Sequence, residues 1–231
     1  MSSNTVLLSI DPVADVMVTA TGGKRPSSNI KTGPMIQVQA APVSVNPVEA
    51  YKTGADVSVC FDCPVKKFCY VNKGHAPLAT WKVAREQTPI DAPTFDKWAG
   101  NRSARLGSWG DPAAMPINVL ETVLANRSHT GYSHQWDKPE YQYLAPIVMA
   151  SVETIEQREQ AVSTGWRTFR IIAPGAPLDT GEILCPNYTS GGAVQCADCM
   201  LCSGADNAAA DIVIPVHGTY KTAGTLAIEA A

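Results

Sequence analysis

The chain has 231 residues, of which 45% are hydrophobic, so it can bury one substantial core with appendages. Charged residues make up 17% of it and the formal net charge is -3, which excludes a protein that is strongly basic throughout but leaves nucleic acid open as a partner. No apolar run approaches the roughly 20 residues of a membrane-spanning helix, and residues 5–10 lack the basic flank of a signal peptide. We therefore expect a soluble, cytoplasmic protein with no membrane partner.

Composition divides the chain into three segments. Residues 1–48 are rich in Ser, Thr, Gly, Pro and Val, with short alternating runs that predict a strand-and-loop extension whose strands lie at a sheet edge. Residues 49–178 are expected to form the core. Residues 179–231 are expected to form a cysteine-rich metal-binding loop, a final strand and a tail.

From about residue 100, strand-like apolar runs alternate with helical periods, a pattern typical of parallel strands joined by crossover helices. The strand candidates are 104–109, 130–133, 146–152 and 167–172. Pro116 is expected in the first turn of one connecting helix, and Thr154 with Gln157 predicts a capping box for another, which Gly165 closes. A strand before Cys60 and helices near 78–86 and 93–99 would give about five strand-helix units, fewer than a complete barrel has. The fold class is therefore α/β, as an incomplete (β/α) barrel or an open parallel sheet.

The seven cysteines form two groups, which in a reducing cytoplasm favours metal ligands over disulfides. The second group, Cys185, Cys196, Cys199 and Cys202, supplies enough thiolates to close a zinc site or to hold a 4Fe-4S cluster. Its Cys-x2-Cys-x2-Cys spacing favours the cluster, because structural zinc more often takes two separated Cys-x2-Cys pairs. Zinc and free thiols are the alternatives.

The first group, Cys60, Cys63 and Cys69, offers three thiolates and therefore leaves one coordination position of a metal centre open. Phe68 would shield one side of a cluster bound there. The alternative is a closed zinc site that takes its fourth ligand from elsewhere, such as His75 or His217.

Polar residues follow three of the predicted strands. Asp111, His134 and Glu153 are expected at or just beyond the carboxyl ends of parallel strands, where such sheets place their chemistry, and they are the catalytic candidates. Each also has a structural interpretation. Asp111 would cap the turn at Pro112, His134 would pack beside Trp136, and Glu153 would favour the amino end of its helix.

Two of these motifs resemble those of the radical S-adenosylmethionine enzymes. They are the cysteine loop with Phe68 before its last cysteine, and Gly110-Asp111-Pro112 at the end of the next strand. The resemblance implies a 4Fe-4S cluster on the three cysteines, S-adenosylmethionine at its open iron, and Gly110 and Asp111 at the amino group of that cofactor. Reductive cleavage to a 5′-deoxyadenosyl radical would follow. This chain differs in having Cys-x2-Cys-x5-Cys in place of Cys-x3-Cys-x2-Cys, and aspartate where the common motif has glutamate.

The chain also resembles an uncharacterised, cysteine-rich family encoded largely by bacteriophages and mobile elements. The resemblance spans most of residues 30–218 and rests on the cysteine groups and several short motifs. These are Lys31-Thr-Gly33, Cys69-Tyr-Val71, Arg105-Leu-Gly-Ser-Trp-Gly-Asp-Pro112, Thr130-Gly-Tyr-Ser-His-Gln-Trp136, Ser151-Val-Glu153 and Asp211-Ile-Val-Ile-Pro-Val-His217. A phage origin would place the protein in the cytoplasm of the host cell.

These observations predict an iron-sulfur enzyme of radical-SAM-like architecture that modifies a nucleotide or another small molecule. The alternative is a zinc-stabilised binding or nucleic-acid-associated protein without radical chemistry. A structural or virion component is a third class, and it would need neither an open metal position nor carboxylates aligned at strand ends.

Overall fold

The computed structural model describes residues 3–217, whose strands form two five-stranded sheets. The strands are β1 (Thr5–Asp11), β2 (Val16–Thr21), β3 (Ile36–Ala41), β4 (Ala104–Arg105), β5 (His129–Thr130), β6 (Tyr132–Ser133), β7 (Met149–Val152), β8 (Thr168–Ile172), β9 (Glu182–Leu184) and β10 (Asp211–Pro215). The helices are α1 (Pro47–Thr53), α2 (Val57–Cys60), α3 (Ala76–Ala84), α4 (Ala92–Ala99), α5 (Ile117–Leu124), α6 (Ile155–Ser163), α7 (Pro186–Thr189) and α8 (Cys196–Cys199). Short 3-10 helices cover Lys66–Phe68, Pro112–Ala114 and Pro139–Leu144.

The described chain divides into two compact units. The first unit comprises residues 3–62 and 71–129, and the second comprises residues 63–70 and 130–217. The divisions fall inside the first cysteine group and at β5, whereas the segments expected from composition end at residues 48 and 178. Each unit is described below by itself.

The first unit is built on a mixed sheet with the strand order β1-β2-β3-β4-β5. Strands β1, β2 and β3 are consecutive antiparallel neighbours, and β4 runs parallel to β3. The expected strands of the amino-terminal segment therefore exist, but β3 lies inside the sheet and not at its edge. Its alternating sequence is buried along most of its length, because helices such as α3 pack against these strands.

Two strand predictions in the first unit are corrected. The residues before Cys60 form α2, a single helical turn that ends where Phe61 adopts a positive φ of 48°. The predicted strand 104–109 is regular only at Ala104–Arg105, since Gly107 turns the chain with a φ of 65°. The chain then returns to β3, where the Ser108 amide donates to the Val38 carbonyl at 2.9 Å.

The second unit contains an open parallel sheet with the order β6-β7-β8-β10-β9. This sheet confirms an α/β fold with parallel strands, and the strands of residues 3–217 form no closed barrel. Helix α6 joins β7 to β8 and begins at the predicted capping box, in which Gln157 N donates to Thr154 Oγ1 at 3.2 Å. Gly165, with a φ of 88°, lies just beyond its end.

Buried ion pairs join the strands at one side of this sheet. Arg170 on β8 donates to both carboxylate oxygens of Glu182 on β9, at 2.7 and 2.5 Å. Arg158 of α6 contacts Asp179 at 2.8 Å and Asp211 of β10 at 2.9 Å. The bidentate pair of Arg170 and Glu182 compensates for the desolvation of a buried carboxylate, and the ion pairs together connect β8, β9, β10 and α6.

Candidate functional site

Two predicted site residues of the second unit meet at the carboxyl edge of its parallel sheet. His134 follows the last residue of β6, and Glu153 follows the last residue of β7, which is the parallel neighbour of β6. Their side chains are in contact, with His134 Nε2 3.1 Å from Glu153 Oε1. Both are largely buried, since only 16% of the His134 side chain and 6% of the Glu153 side chain are exposed.

The capping box of α6 positions Glu153. Its backbone amide donates to Gln157 Oε1 at 2.7 Å, so the residue is held immediately before the first turn of the helix. The structural interpretation of Glu153 as a residue preceding a helix is therefore correct for its backbone. Its carboxylate, however, is directed to His134.

Cys63 completes a chain of three side chains through His134. Its Sγ lies 3.6 Å from His134 Nδ1, a distance that suits a hydrogen bond to the large sulfur atom. The imidazole thus has the thiol on one ring nitrogen and the carboxylate on the other. Burial alone would lower the pKa of His134, but the hydrogen bonds and charges of Cys63 and Glu153 raise this pKa to about 10.

The second cysteine group gathers on the parallel sheet of the same unit. Cys202 is buried against Met149 of β7 and Ile212 of β10, and Cys185 packs against the same cluster. Cys196 and Cys199 lie one turn apart on α8 and therefore on one side of it. None of the four forms a disulfide, and the charges of the other three act on Cys202.

The ionised form of Cys202 is unfavourable in its buried position. Burial is the main reason that its pKa rises to about 12, and the charges of Cys185, Cys196 and Cys199 raise it further, whereas a hydrogen bond from Tyr132 lowers it. Across residues 3–217, no group of three or more His, Cys, Asp or Glu side chains has the arrangement of metal ligands. The four thiols are therefore neighbours and not a formed coordination sphere.

Arg167 anchors the loop that carries Cys202. Its guanidinium donates to the carbonyls of Leu201 at 2.9 Å and Ser203 at 2.7 Å, on either side of the cysteine. It also donates to the carbonyls of Ala209 and Ala210 farther along the same loop. Burial lowers the pKa of Arg167, while the charges of Asp211 and Cys202 act in the opposite direction.

A second anchor of this loop is close backbone packing at Gly204. The Gly204 amide donates to the Ile147 carbonyl at 2.9 Å, and a Cβ on Gly204 would lie 2.4 Å from the Ala145 carbonyl oxygen. Only glycine fits this approach. The backbone packing at Gly204 and the hydrogen bonds of Arg167 thus both hold the loop around Cys202.

The three cysteines of the first group are divided between the two units. Cys60 is the last residue of α2 in the first unit, whereas Cys63 and Cys69 belong to the second. Cys69 follows the 3-10 helix that ends at Phe68, and both are partly buried. Cys60 is therefore described with the first unit, and Cys63 and Cys69 are described with the second.

The two predicted cofactor contacts Gly110 and Asp111 have structural roles in the first unit. Asp111 caps the 3-10 helix that begins at Pro112, with Oδ1 accepting from the Ala113 amide at 2.9 Å. Gly110 has a φ of 75°, and a Cβ there would lie 2.6 Å from the carbonyl oxygen of Ala40. The backbone of Ala40 thus occupies the place that a side chain at position 110 would need.

Sequence reasoning missed two features of the second unit. The pairing of Cys63 with His134 joins residues 71 positions apart, and no local pattern connects them. The role of Arg167 had a signal in the sequence, namely a charged residue placed immediately before an apolar strand.

His217, which the sequence suggested as a metal ligand, has Nδ1 2.8 Å from the carbonyl oxygen of Pro215 in its own chain segment.

No protein-family model matches this chain, and no significant match to it was found among curated proteins or solved structures. Within residues 3–217, no helix has the length and apolar character required to cross a bilayer.

Proposed function

We propose that this chain is a metal-thiolate protein in which Cys185, Cys196, Cys199 and Cys202 hold an iron-sulfur cluster. The observation that carries the proposal is the gathering of these four thiols around the buried Cys202. Buried free cysteines are common as small apolar residues, but Cys202 with three further thiols acting on it is the donor set of a metal centre.

The electrostatics of the cluster favour a cation. Burial and the neighbouring sulfur charges hold the pKa of Cys202 at about 12, so the thiolate is costly without a positive partner. A bound metal deprotonates its thiol ligands, because its charge compensates both the desolvation and the mutual repulsion. Arg167 interacts electrostatically with Cys202, but its donors are directed to backbone carbonyls.

The spacing of the cysteines favours an iron-sulfur cluster over zinc. Cys-x2-Cys-x2-Cys from Cys196 to Cys202 is typical of ferredoxin-like runs and supports the cluster, and zinc is the alternative occupant of the same four thiolates. The parallel sheet supports an enzyme, because His134 and Glu153 meet at the edge where such sheets carry out chemistry. A nucleotide or another small molecule is the substrate class that the phage-type resemblance supports.

The finer form of the proposal is radical S-adenosylmethionine chemistry at the first cysteine group. It is supported by the resemblance of the cysteine loop. The resemblance assigns the amino group of the cofactor to Gly110 and Asp111, and Asp111 also caps the 3-10 helix that begins at Pro112.

Metal analysis of anaerobically purified protein tests the proposal. We expect iron and acid-labile sulfide with brown colour in the wild type, and loss of both in Cys199→Ala. Thr189→Ala, an exposed position on the adjacent helix α7, is the matched control and should retain them. Colourless protein with stoichiometric zinc would identify the alternative occupant, and protein that takes up neither metal would refute the site.

The finer form has its own assay. Reconstituted protein with a reductant and S-adenosylmethionine should yield 5′-deoxyadenosine if radical chemistry operates. Absence of this product in protein that retains its cluster would reject the radical form and leave the metal site standing.

A further inference from the structure

We infer that Cys63, His134 and Glu153 form a nucleophilic thiol site that attacks carbonyl-type electrophiles such as esters and thioesters. This site is distinct from the proposed metal centre, because it uses none of the four cysteines of the second group. It also gives Cys63 a role that competes with the sequence-based expectation of a cluster ligand.

The geometry is that of a nucleophile, a base and an orienting group in series. Cys63 Sγ lies 3.6 Å from His134 Nδ1, and His134 Nε2 lies 3.1 Å from Glu153 Oε1. This order of atoms is the arrangement by which a histidine activates a thiol and a carboxylate fixes the imidazole. All three residues belong to the second unit.

Each member of the series is held by its surroundings. The capping box of α6 fixes Glu153 through the Gln157 side chain. His134 lies in a turn in which the Gln135 amide donates to Ser133 Oγ at 3.0 Å. The Cys63 carbonyl accepts from the Lys66 amide at 3.2 Å, which ties Cys63 to the following 3-10 helix. Such positioning is what preorganised catalytic groups require.

The two contacts of the imidazole give it a way to activate the thiol. With the sulfur at Nδ1 and Glu153 at Nε2, the ring can accept the Cys63 proton and be held as the imidazolium. The thiolate formed in this way is the reactive species of cysteine. Cys63 is only partly buried.

The reaction can be written so that atoms and protons balance. The Cys63 thiolate attacks the carbonyl carbon, the bond to the leaving group breaks, and the His134 Nδ1 proton passes to that leaving group. The product is an acyl thioester on Cys63 and a neutral imidazole. Water then attacks the thioester, His134 accepts its proton, and the acid is released with the thiolate and imidazolium restored.

Competitive alkylation of the full-length, as-purified protein tests the inference. A free cysteine is only a few per cent thiolate at neutral pH, so we expect iodoacetamide to label Cys63 at least about ten-fold faster than Cys69, as measured by peptide mass spectrometry. His134→Gln should remove this difference and Glu153→Gln should reduce it. His75→Gln and Glu140→Gln change exposed side chains and serve as matched controls that should retain the difference.

A second measurement addresses the chemistry. With p-nitrophenyl acetate, acetyl thioester should accumulate on Cys63 in the wild type and be absent in His134→Gln, with thermal melts confirming that each variant is folded. The comparison of Cys63 with Cys69 within the wild type does not depend on any variant. Equal labelling of the two cysteines would overturn the inference.

The competing role of Cys63 gives a different result. If Cys63 is a metal ligand, it should resist alkylation until a chelator is added, and Cys63→Ala should lose metal. That outcome would overturn the nucleophile and leave the second cysteine group untouched. Failure of the proposed metal centre, by contrast, would appear as an unchanged metal content in Cys199→Ala. The reactivity of Cys63 would be unaffected by that result.

Discussion

At the scale of single residues, His134 contacts both Cys63 and Glu153 in the second unit. Its two ring nitrogens have different partners, so substitutions of Glu153 and Cys63 act on different atoms of one imidazole. Because the pKa of His134 in the fold, about 10, lies above its ordinary value of 6.5, the protonated ring stabilises the folded state. This contribution is complete below the ordinary value and is lost as the pH rises through the folded-state value.

Glu153→Gln should therefore destabilise the protein in a pH-dependent way. We expect the free energy of unfolding to fall by about 1–3 kcal/mol at neutral pH, because the substitution removes an ionised acceptor from a buried imidazole. The difference from the wild type should shrink as the pH approaches 10, where the wild-type ring loses its proton. Urea unfolding across this range measures it, with exposed Glu140→Gln as control. A difference that grows with pH would contradict the assigned partner.

Arg167 offers a second test at this scale. Its side chain is buried and donates to four carbonyls of one loop, at Leu201, Ser203, Ala209 and Ala210. Arg167→Met keeps much of the apolar stem but leaves these acceptors without their donor. We expect a loss of about 3–5 kcal/mol in the free energy of unfolding, measured by urea denaturation. Arg85→Met, at an exposed position, should change the free energy of unfolding little. An equally small change for Arg167→Met would show that contacts other than those of Arg167 hold the loop.

At the scale of elements, the sequence correctly predicted those helix ends that depend on neighbouring residues. The capping box at Thr154 and the helical end at Gly165 are correct, because both depend on residues within one turn. The strand expected at 104–109 is mostly absent because Gly107 takes a positive φ, which its sequence permits but does not require. The contact of Cys63 with His134 depends on the assembled second unit and has no local signature.

The loop that carries Cys202 yields a prediction about glycine. A Cβ at Gly204 would meet the backbone from Ala145 to Ile147 at 2.3 to 2.4 Å, so Gly204→Ala must displace the loop or the segment that precedes β7. We expect destabilisation of about 1–3 kcal/mol, as for overpacking at other tight sites. Gly74→Ala, where the nearest atom is Asn72 Oδ1 at 3.4 Å, is the control. Equal stability of the two variants in thermal melts would contradict the close approach.

At the scale of the whole molecule, the candidate residues are divided between the two units. The second unit contains the four clustered cysteines, Cys63, Cys69 and Phe68, together with His134 and Glu153, whereas Cys60, Gly110 and Asp111 belong to the first. The sequence predicted the α/β class and the parallel sheet from alternating strand and helix patterns. It did not predict the division of the first cysteine group, because unit boundaries depend on packing that no single motif encodes.

The two cysteine groups should differ in their effect on global stability. Metal bound by the second group adds its binding energy to folding, so Cys199→Ala should lower the melting temperature and the solubility of the metal-loaded protein. Cys63→Ala should lower the melting temperature less than Cys199→Ala, because it removes one partner of the His134 ring but no ligand of the proposed metal centre. Calorimetric melts of the two variants decide between the roles. Unfolding of Cys63→Ala with an intact Cys199→Ala would reverse them.

X-ray absorption at the iron and zinc edges tests the central claim most directly, because it reports both the metal and the atoms bound to it. For anaerobically purified full-length protein we predict a bound metal surrounded by sulfur at about 2.3 Å, with iron neighbours if a cluster is present. This signal should disappear in Cys199→Ala. Absence of a stoichiometric metal, or a coordination shell of nitrogen and oxygen alone, would contradict the proposed thiolate centre.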